Sequence, residues 1–312
     1  MIDEIPYQGW KNNLRLRGPK NELVITLDVG PRVIRYAPHD GPNVFVELPG
    51  QMGGVNENEW MIRGGHRLWT APEADHSYDL DNTPVTWKKL GEDAVEIIQP
   101  PSKKFGFQKT LRVELLPGQD EVVRVTHRLT ASGDHPLDVT PWTLSVMDVG
   151  GTCVVPQPKA DLHPSEFPEG RDTLPEEFLP SREFVLWPFT DLTDGRYRFS
   201  EDFLRLSHRP GMAATKLGLK VPTGWIAYEN KGVIFAKHFP RQDGVPYPDR
   251  GVNLELFTNN AILEMESLAP LEPLAPGQAR EHIEHWVLRP ATKSLEEESA
   301  AREFFAALPK IG

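Results

Sequence analysis

The residues best suited to chemistry crowd into Met61 to Tyr78, MIRGGHRLWTAPEADHSY. Arg63, His66, Arg67, Glu73, Asp75 and His76 share this segment with Trp69, Pro72 and two adjacent glycines. A glycine pair permits a sharp turn or a close backbone approach, because no Cβ forbids positive φ. Guanidiniums, imidazoles and carboxylates gathered at such a turn can hold a ligand rich in hydroxyls or move protons. The plainer alternative is a solvated loop with a few ion pairs. The aromatic content favours a site, because Trp60, Trp69 and Tyr78 bring large apolar faces with polar edges that a solvated loop seldom needs. The segment is therefore expected to form one wall of a binding cleft.

A second candidate is Glu255, in the middle of GVNLELFTNN between Leu254 and Leu256. A carboxylate inside a sheet is costly unless it meets water, a partner or a ligand. Tyr247 and Asp249, in the preceding Tyr247-Pro248-Asp249-Arg250, give it a polar and aromatic approach. Glu264 and Glu266 read instead as the solvent-facing positions of an edge strand. His282 and His285 stand three apart in EHIEHW. On a helix they could share a metal, but the surrounding pattern is that of a strand and puts them on opposite faces. His127 falls on the apolar face of its own strand and reads as a hydrogen-bonded core histidine. No phosphate-binding glycine loop, HExxH or paired CxxC occurs, so neither a cofactor nor a metal is expected.

The elements that must position these residues are short strands. Thirty prolines and 25 glycines punctuate the 312 residues, as many strands joined by turns require. Runs at Asn13 to Arg17, Glu22 to Asp28, Val33 to Tyr36 and Val44 to Glu47 precede the organising segment. Thr86 to Leu90 and Ala94 to Gln99 follow as a hairpin. Phe107 to Leu116, Glu121 to Ala131 and Leu137 to Met147 form a meander. In its middle strand Val123, Val125, His127 and Leu129 alternate with polar residues. Phe203 to Ser207, Gly224 to Glu229, Val233 to His238, Val252 to Thr258, Ala261 to Leu268 and Arg280 to Arg289 complete the set. Ser294 to Leu308 reads as a capped C-terminal helix. Between them, Gln157 to Asp194 is rich in proline and aromatics. It reads as an insertion folded over one end of a single domain spanning 1–312, in the manner of a lid on the cleft.

Bulk properties narrow the partners. A net charge of −11 opposes nucleic acid or an anionic membrane as the main partner. The lone Cys153 cannot form an internal disulfide and reads as a small buried hydrophobe. Neither a secretory leader nor a membrane-length apolar run is visible, so a cytoplasmic location is the expectation.

RGGHRLWTAPE resembles the segment that leads into the sugar cleft of galactose mutarotase-like proteins. The Gly106 to Met147 meander is similar to that family's central sheet. The tail LEMESLAPLEPLAPGQAREHIEHWVL is similar to its closing strands. Taken together, the motifs most resemble a little-characterised subgroup, the DUF4380 type. The resemblance implies an all-β fold, an antiparallel β-supersandwich, and a small-molecule sugar or sugar phosphate as partner. It also implies aldose 1-epimerase chemistry, in which a glutamate takes the anomeric proton while a histidine protonates the ring oxygen. Glu255 matches the glutamate, and Arg63 or Arg67 the substrate-binding arginine, while Trp69 would stack on a sugar face and Glu73 would join the binding wall. Where the family has its histidine, this chain reads Thr140-Pro141-Trp142-Thr143-Leu144-Ser145. The acid would then come from His66 or His76 on the opposite wall. A non-catalytic sugar-binding or sensing module of the same fold is the alternative.

Overall fold

The computed structural model describes residues 1–119, 121–158, 163–166, 174 and 178–311. Two antiparallel sheets of ten strands each face one another. In the first sheet the strands lie in the order Ile2–Tyr7, Trp10–Arg17, Asn21–Thr26, Arg32–Pro38, Gly65–Ala71, Thr140–Met147, Leu263–Leu268, Leu254–Thr258, Thr215–Leu219 and Phe184–Leu186. The second runs Tyr197–Phe199, Phe203–Ser207, Thr152–Pro156, Trp225–Asn230, Val233–His238, Ala279–Pro290, Val122–Ala131, Phe107–Leu115, Ala94–Ile98 and Thr86–Lys89.

Alternation along each strand sends every second side chain between the sheets. Leu217, Leu254, Leu256, Leu263 and Met265 of the first sheet thereby join Val123, Val125, Phe235 and Trp286 of the second in one buried core. Cys153 belongs to the same core and is fully buried. The C-terminal helix is shorter than the sequence suggests, Glu298–Ala306. Its N-cap is Glu297, which makes no side-chain cap bond, and Ser294 instead donates to Glu229. Ala301, Phe304 and Phe305 lay the helix against Val154, Ile234 and Val287 on the outer face of the second sheet.

Most expected strands form within a residue or two of their anticipated ends. Val44 to Glu47 does not, and makes only isolated bridges to Met147 and Gly64. Two strands that matter for the site were hidden. Gly65–Ala71 lies between Gly64 and Pro72, so its flanks read as a turn, yet all seven residues are buried in a central strand. Thr215–Leu219, TKLGL, is short and carries a lysine and a glycine among its leucines. Gly64 shows why a glycine stands at the entry to the central strand. Its φ is +101°, and a Cβ there would lie 1.9 Å from the Val46 carbonyl oxygen. Of the segment Gln157 to Asp194, residues 159–162, 167–173 and 175–177 lie outside the described residues. The rest includes the edge strand Phe184–Leu186.

Candidate functional site

The outer face of the first sheet, turned away from the second, carries a cleft of about 330 Å³. Its floor is built by strand register. Arg67 stands opposite Leu144, Leu144 opposite Glu266, Glu266 opposite Glu255, and Glu255 opposite Gly218. The neighbouring row runs Val146, Glu264, Phe257 and Lys216, and a third pairs Trp69, Trp142 and Leu268. Five strands from four separated stretches of chain thus bring one arginine, one lysine and three glutamates onto a single face. Trp60, Ile62, Glu73 and Tyr78 wall the cleft on one side, and Trp187 and Phe189 also line it.

Two cations are clamped by aromatic rings. Arg67 lies 4.6 Å from the ring centroids of both Trp60 and Trp69. Lys216 lies 4.8 Å from Trp142 and 4.9 Å from Trp187. Such contacts strengthen when water is excluded. Trp187 reaches this position because Gly218 leaves room: a Cβ there would be 3.1 Å from the Trp187 ring.

Lys216 Nζ also contacts Glu255 at 2.6 Å and Glu266 at 3.1 Å. Although burial alone would lower its pKa, the carboxylates of Glu266 and Glu255 raise it, so the ammonium stays charged. Glu264 forms no ion pair among the described residues. Burial, with the nearby Glu266 charge, pushes its carboxyl up to about 7, against the pull of Arg67 and Lys216. Burial likewise raises Glu255 well above the usual carboxylate range, although Lys216 pulls it back. Both Glu255 and Glu264 thus hold a proton more readily than a free carboxyl, and of the two Glu264 is the group with no cation in contact.

The cleft is also unsatisfied. Arg67, 1 % exposed, donates through Nη1 to the Ile62 carbonyl at 3.0 Å, but its Nε and Nη2 find no partner. Nor do the indole nitrogens of Trp60, Trp69 and Trp142, or Glu264 Oε1. Buried polar atoms in native proteins are nearly always paired, so such a cluster of exceptions in one place requires an explanation. The orphans here include both donors and an acceptor.

His66 sits on the same strand as Arg67 but on the other face, between the sheets. Its Nε2 is 2.6 Å from His127 Nε2, and its Nδ1 is 2.8 Å from Ser145 Oγ. His127 Nδ1 faces the His282 carbonyl oxygen at 3.0 Å and therefore carries a proton. His127 Nε2 is then the acceptor, His66 Nε2 the donor, and Ser145 donates to His66 Nδ1. Beside them the Glu284 carboxylate accepts from Thr143 at 2.6 Å, Ser267 at 2.7 Å, Lys237 at 2.8 Å and Trp286 at 2.6 Å. Burial opposes its charge, but the Lys237 ammonium holds its pKa well below the ordinary range. Burial keeps His127 neutral, with a pKa of about 4, and His282 likewise at about 3. His66, His127 and Glu284 bring potential metal-ligating atoms within 4.8 Å of one another. Two nitrogens on one tetrahedral zinc would lie about 3.3 Å apart, given roughly 2.0–2.1 Å bonds. The 2.6 Å separation and the Lys237 ammonium against Glu284 instead describe a hydrogen-bonded network that joins the two sheets.

Of the residues singled out from sequence, Arg67, Trp69 and Glu73 line the cleft. Glu255 shares their face but is buried behind Lys216. His66 is removed from the cleft by strand alternation. His76 is half-buried on the turn Asp75–Tyr78, with Nδ1 2.8 Å from Thr70 Oγ1, and does not line the cleft either. Among the described residues no histidine does. Arg63 turns aside to Glu57 at 2.7 Å and the Gln51 carbonyl at 2.8 Å. The Tyr247 hydroxyl accepts from the Gln242 backbone at 2.9 Å, and Tyr247 and Asp249 both lie outside the cleft lining. Glu264 and Glu266, expected on a solvent-facing edge, occupy a central strand and the cleft floor. His282 points in and His285 lies half-exposed, as expected for a strand, while Glu284 between them passed unnoticed. Lys216 was also missed, and its only signal was its place in an otherwise apolar run, whereas Trp187 and Phe189 are among the aromatics of the Gln157 to Asp194 segment and line the cleft.

No protein-family model matches the chain, and no curated protein matches it in sequence. Solved structures do. A putative aldose 1-epimerase from Klebsiella pneumoniae aligns over 98% of this chain and 87% of its own, at 12% identity and a TM-score of 0.59. A TPR-domain containing protein from Parabacteroides distasonis aligns over 92% of this chain and 48% of its own, at 12% identity and a TM-score of 0.59. A galactose mutarotase related enzyme from Lactobacillus acidophilus aligns over 90% of this chain and 99% of its own, at 8% identity and a TM-score of 0.56. These similarities show the fold: an all-β, galactose mutarotase-like sandwich of two antiparallel ten-stranded sheets with a short C-terminal helix. No helix among the described residues is long and apolar enough to cross a membrane.

Proposed function

We propose that the protein binds a carbohydrate in the cleft on the outer face of the first sheet. The observation that carries this reading is the coexistence of orphaned donors and an orphaned acceptor in one aromatic-walled space. An anion would satisfy only the donors and a cation only the acceptor. A hydroxyl accepts from Arg67 and donates to Glu264 at once, and a sugar presents several. Tryptophan and tyrosine faces suit the apolar side of a pyranose ring. The fold is also that of sugar-processing enzymes, and the motifs GGHRLW and LAPGQAREHIEHW support the DUF4380-type subgroup within it. Four tryptophans line the cleft, so titration with aldoses should change tryptophan emission saturably. A flat response across hexoses, pentoses and hexose 6-phosphates would remove this reading.

A second reading, anomer interconversion, is favoured by the Glu264 carboxyl held at about 7. In place of a glutamate–histidine pair, Glu264 would protonate the ring oxygen as the bond from C1 to that oxygen breaks. The Lys216-paired carboxylate of Glu266 would accept the proton of the C1 hydroxyl, giving the open aldehyde. Reclosure on the other face reverses both transfers. Because the donor must carry its proton, the rate should be level below about pH 7 and fall roughly tenfold per unit above it. Polarimetry should show this profile in the native protein. In Glu264→Gln the rate should drop about a hundredfold or more, with sugar binding retained. Binding without any interconversion leaves the protein as a sugar-binding module. A rate that rises through pH 7 would exclude Glu264 as the acid.

A further inference from the structure

The cleft is not the only concavity among the described residues. A second pocket, of about 560 Å³, adjoins it and shares two of its lining residues, Trp60 and Tyr78. The partition between them is aromatic. The Tyr78 ring stands perpendicular to Trp60, with centroids 5.4 Å apart, and 5.0 Å from Trp69. Tyr78 remains 41% exposed, so a ligand can lie across its ring. Its hydroxyl is held by Glu73, a residue of the first cleft.

The second pocket has its own unmet polar demand. Gln99 lines it and is 7% exposed, and donates through Nε2 to Asp79 at 3.1 Å. Its Oε1 is buried without a partner. Phe105 supplies an apolar surface, stacked on Phe107 at 5.9 Å. The pocket's three carboxylates each have a cation: Asp75 pairs with Lys104 at 2.8 Å, Asp79 with Lys109 at 3.9 Å, and Asp81 with Arg32 at 3.0 Å. Lys103, the lining cation with no ion pair among the described residues, is exposed to solvent and needs no buried counter-charge, whereas a hydroxyl would satisfy Gln99. At about 330 Å³ the first cleft sits at the bottom of the roughly 300–1,000 Å³ usual for small-molecule sites, and the joined space lies near the top.

We propose that the ligand is a glycoside of at least two sugar units, the first in the cleft of Arg67 and Glu264 and a neutral second unit in the adjoining pocket of Gln99 and Phe105. This rests on the carbohydrate reading of the first cleft. It assigns to the second pocket a role in selecting ligand length.

Calorimetric titration separates the two ideas. Monosaccharides would be compared with α- and β-1,4-linked disaccharides of the same sugars, on the native protein and on Gln99→Leu and Phe105→Ala. A disaccharide should bind about tenfold tighter than its monosaccharide. Either substitution should abolish most of that gain and leave monosaccharide affinity unchanged, and Phe105→Ala serves where Gln99→Leu disturbs folding through Asp79. Disaccharides no tighter than monosaccharides would overturn the extended ligand and leave the carbohydrate cleft standing. A gain that survives both substitutions would also overturn it, because the second unit would lie elsewhere. If no carbohydrate of either length bound, the underlying reading would fall with it.

Discussion

Exchanging Arg67 for methionine should weaken carbohydrate binding by about a hundredfold or more, while the melting temperature stays level or rises. Two of the arginine's donors, Nε and Nη2, have no partner in the folded chain, although the side chain is only 1% exposed. Burying a charged group without its hydrogen bonds costs stability, and here Nη1 and the flanking tryptophans offset only part of that cost. Methionine keeps an unbranched stem between Trp60 and Trp69 and removes the charge. Hydrogen bonds to charged groups are worth roughly 1.5–3 kcal/mol each, so losing two accounts for the expected loss of affinity. Binding by calorimetry and melting by circular dichroism check the two halves separately. An arginine present for structure would show the opposite pattern, with a lower melting temperature and little change in binding.

Lys237→Met should act in the other direction, destabilising the fold by about 3–5 kcal/mol without entering the cleft. Lys237 is fully buried between the sheets and donates to Glu284 at 2.8 Å, the Met265 carbonyl at 3.1 Å and Ser145 at 3.3 Å. Its loss leaves the Glu284 carboxylate uncompensated, next to histidines that burial keeps neutral. Replacing both partners by apolar residues of similar size is often far less costly than removing one. Lys237→Met combined with Glu284→Leu should therefore recover part of the stability, as read by urea denaturation. Equal losses in the single and double variants would mean that the ion pair contributes nothing beyond its packing.

Sequence reasoning reached the fold through local patterns. Alternation such as Val123, Val125, His127 and Leu129 reveals a half-buried strand, and turns such as Asn230-Lys231-Gly232 separate such strands. Lys231 and Gly232 do adopt the positive φ of a tight hairpin. The site was legible only in part, because its floor runs perpendicular to the chain. Arg67, Leu144, Glu266 and Glu255 form one row across four strands. No local pattern announces that row. His66 and Arg67 are adjacent in sequence and appeared to serve one cleft, but a strand's two-residue period sends them to opposite faces. Glu264 and Glu266 looked like solvent-facing positions because a polar alternation is the same whether its polar face meets water or lines a covered cleft. Lys216 was hidden in a five-residue strand too short to show a period.

A crystal structure of the protein grown with a carbohydrate ligand tests the central claim most directly. The account predicts a sugar in the cleft walled by Trp60, Trp69, Trp142 and Trp187. One of its hydroxyls should accept from Arg67 Nη2 or Nε and donate to Glu264 Oε1, ending the isolation of both groups. A sugar held elsewhere on the molecule, or a cleft in which Arg67 and Glu264 close onto each other and leave no space between them, would contradict it.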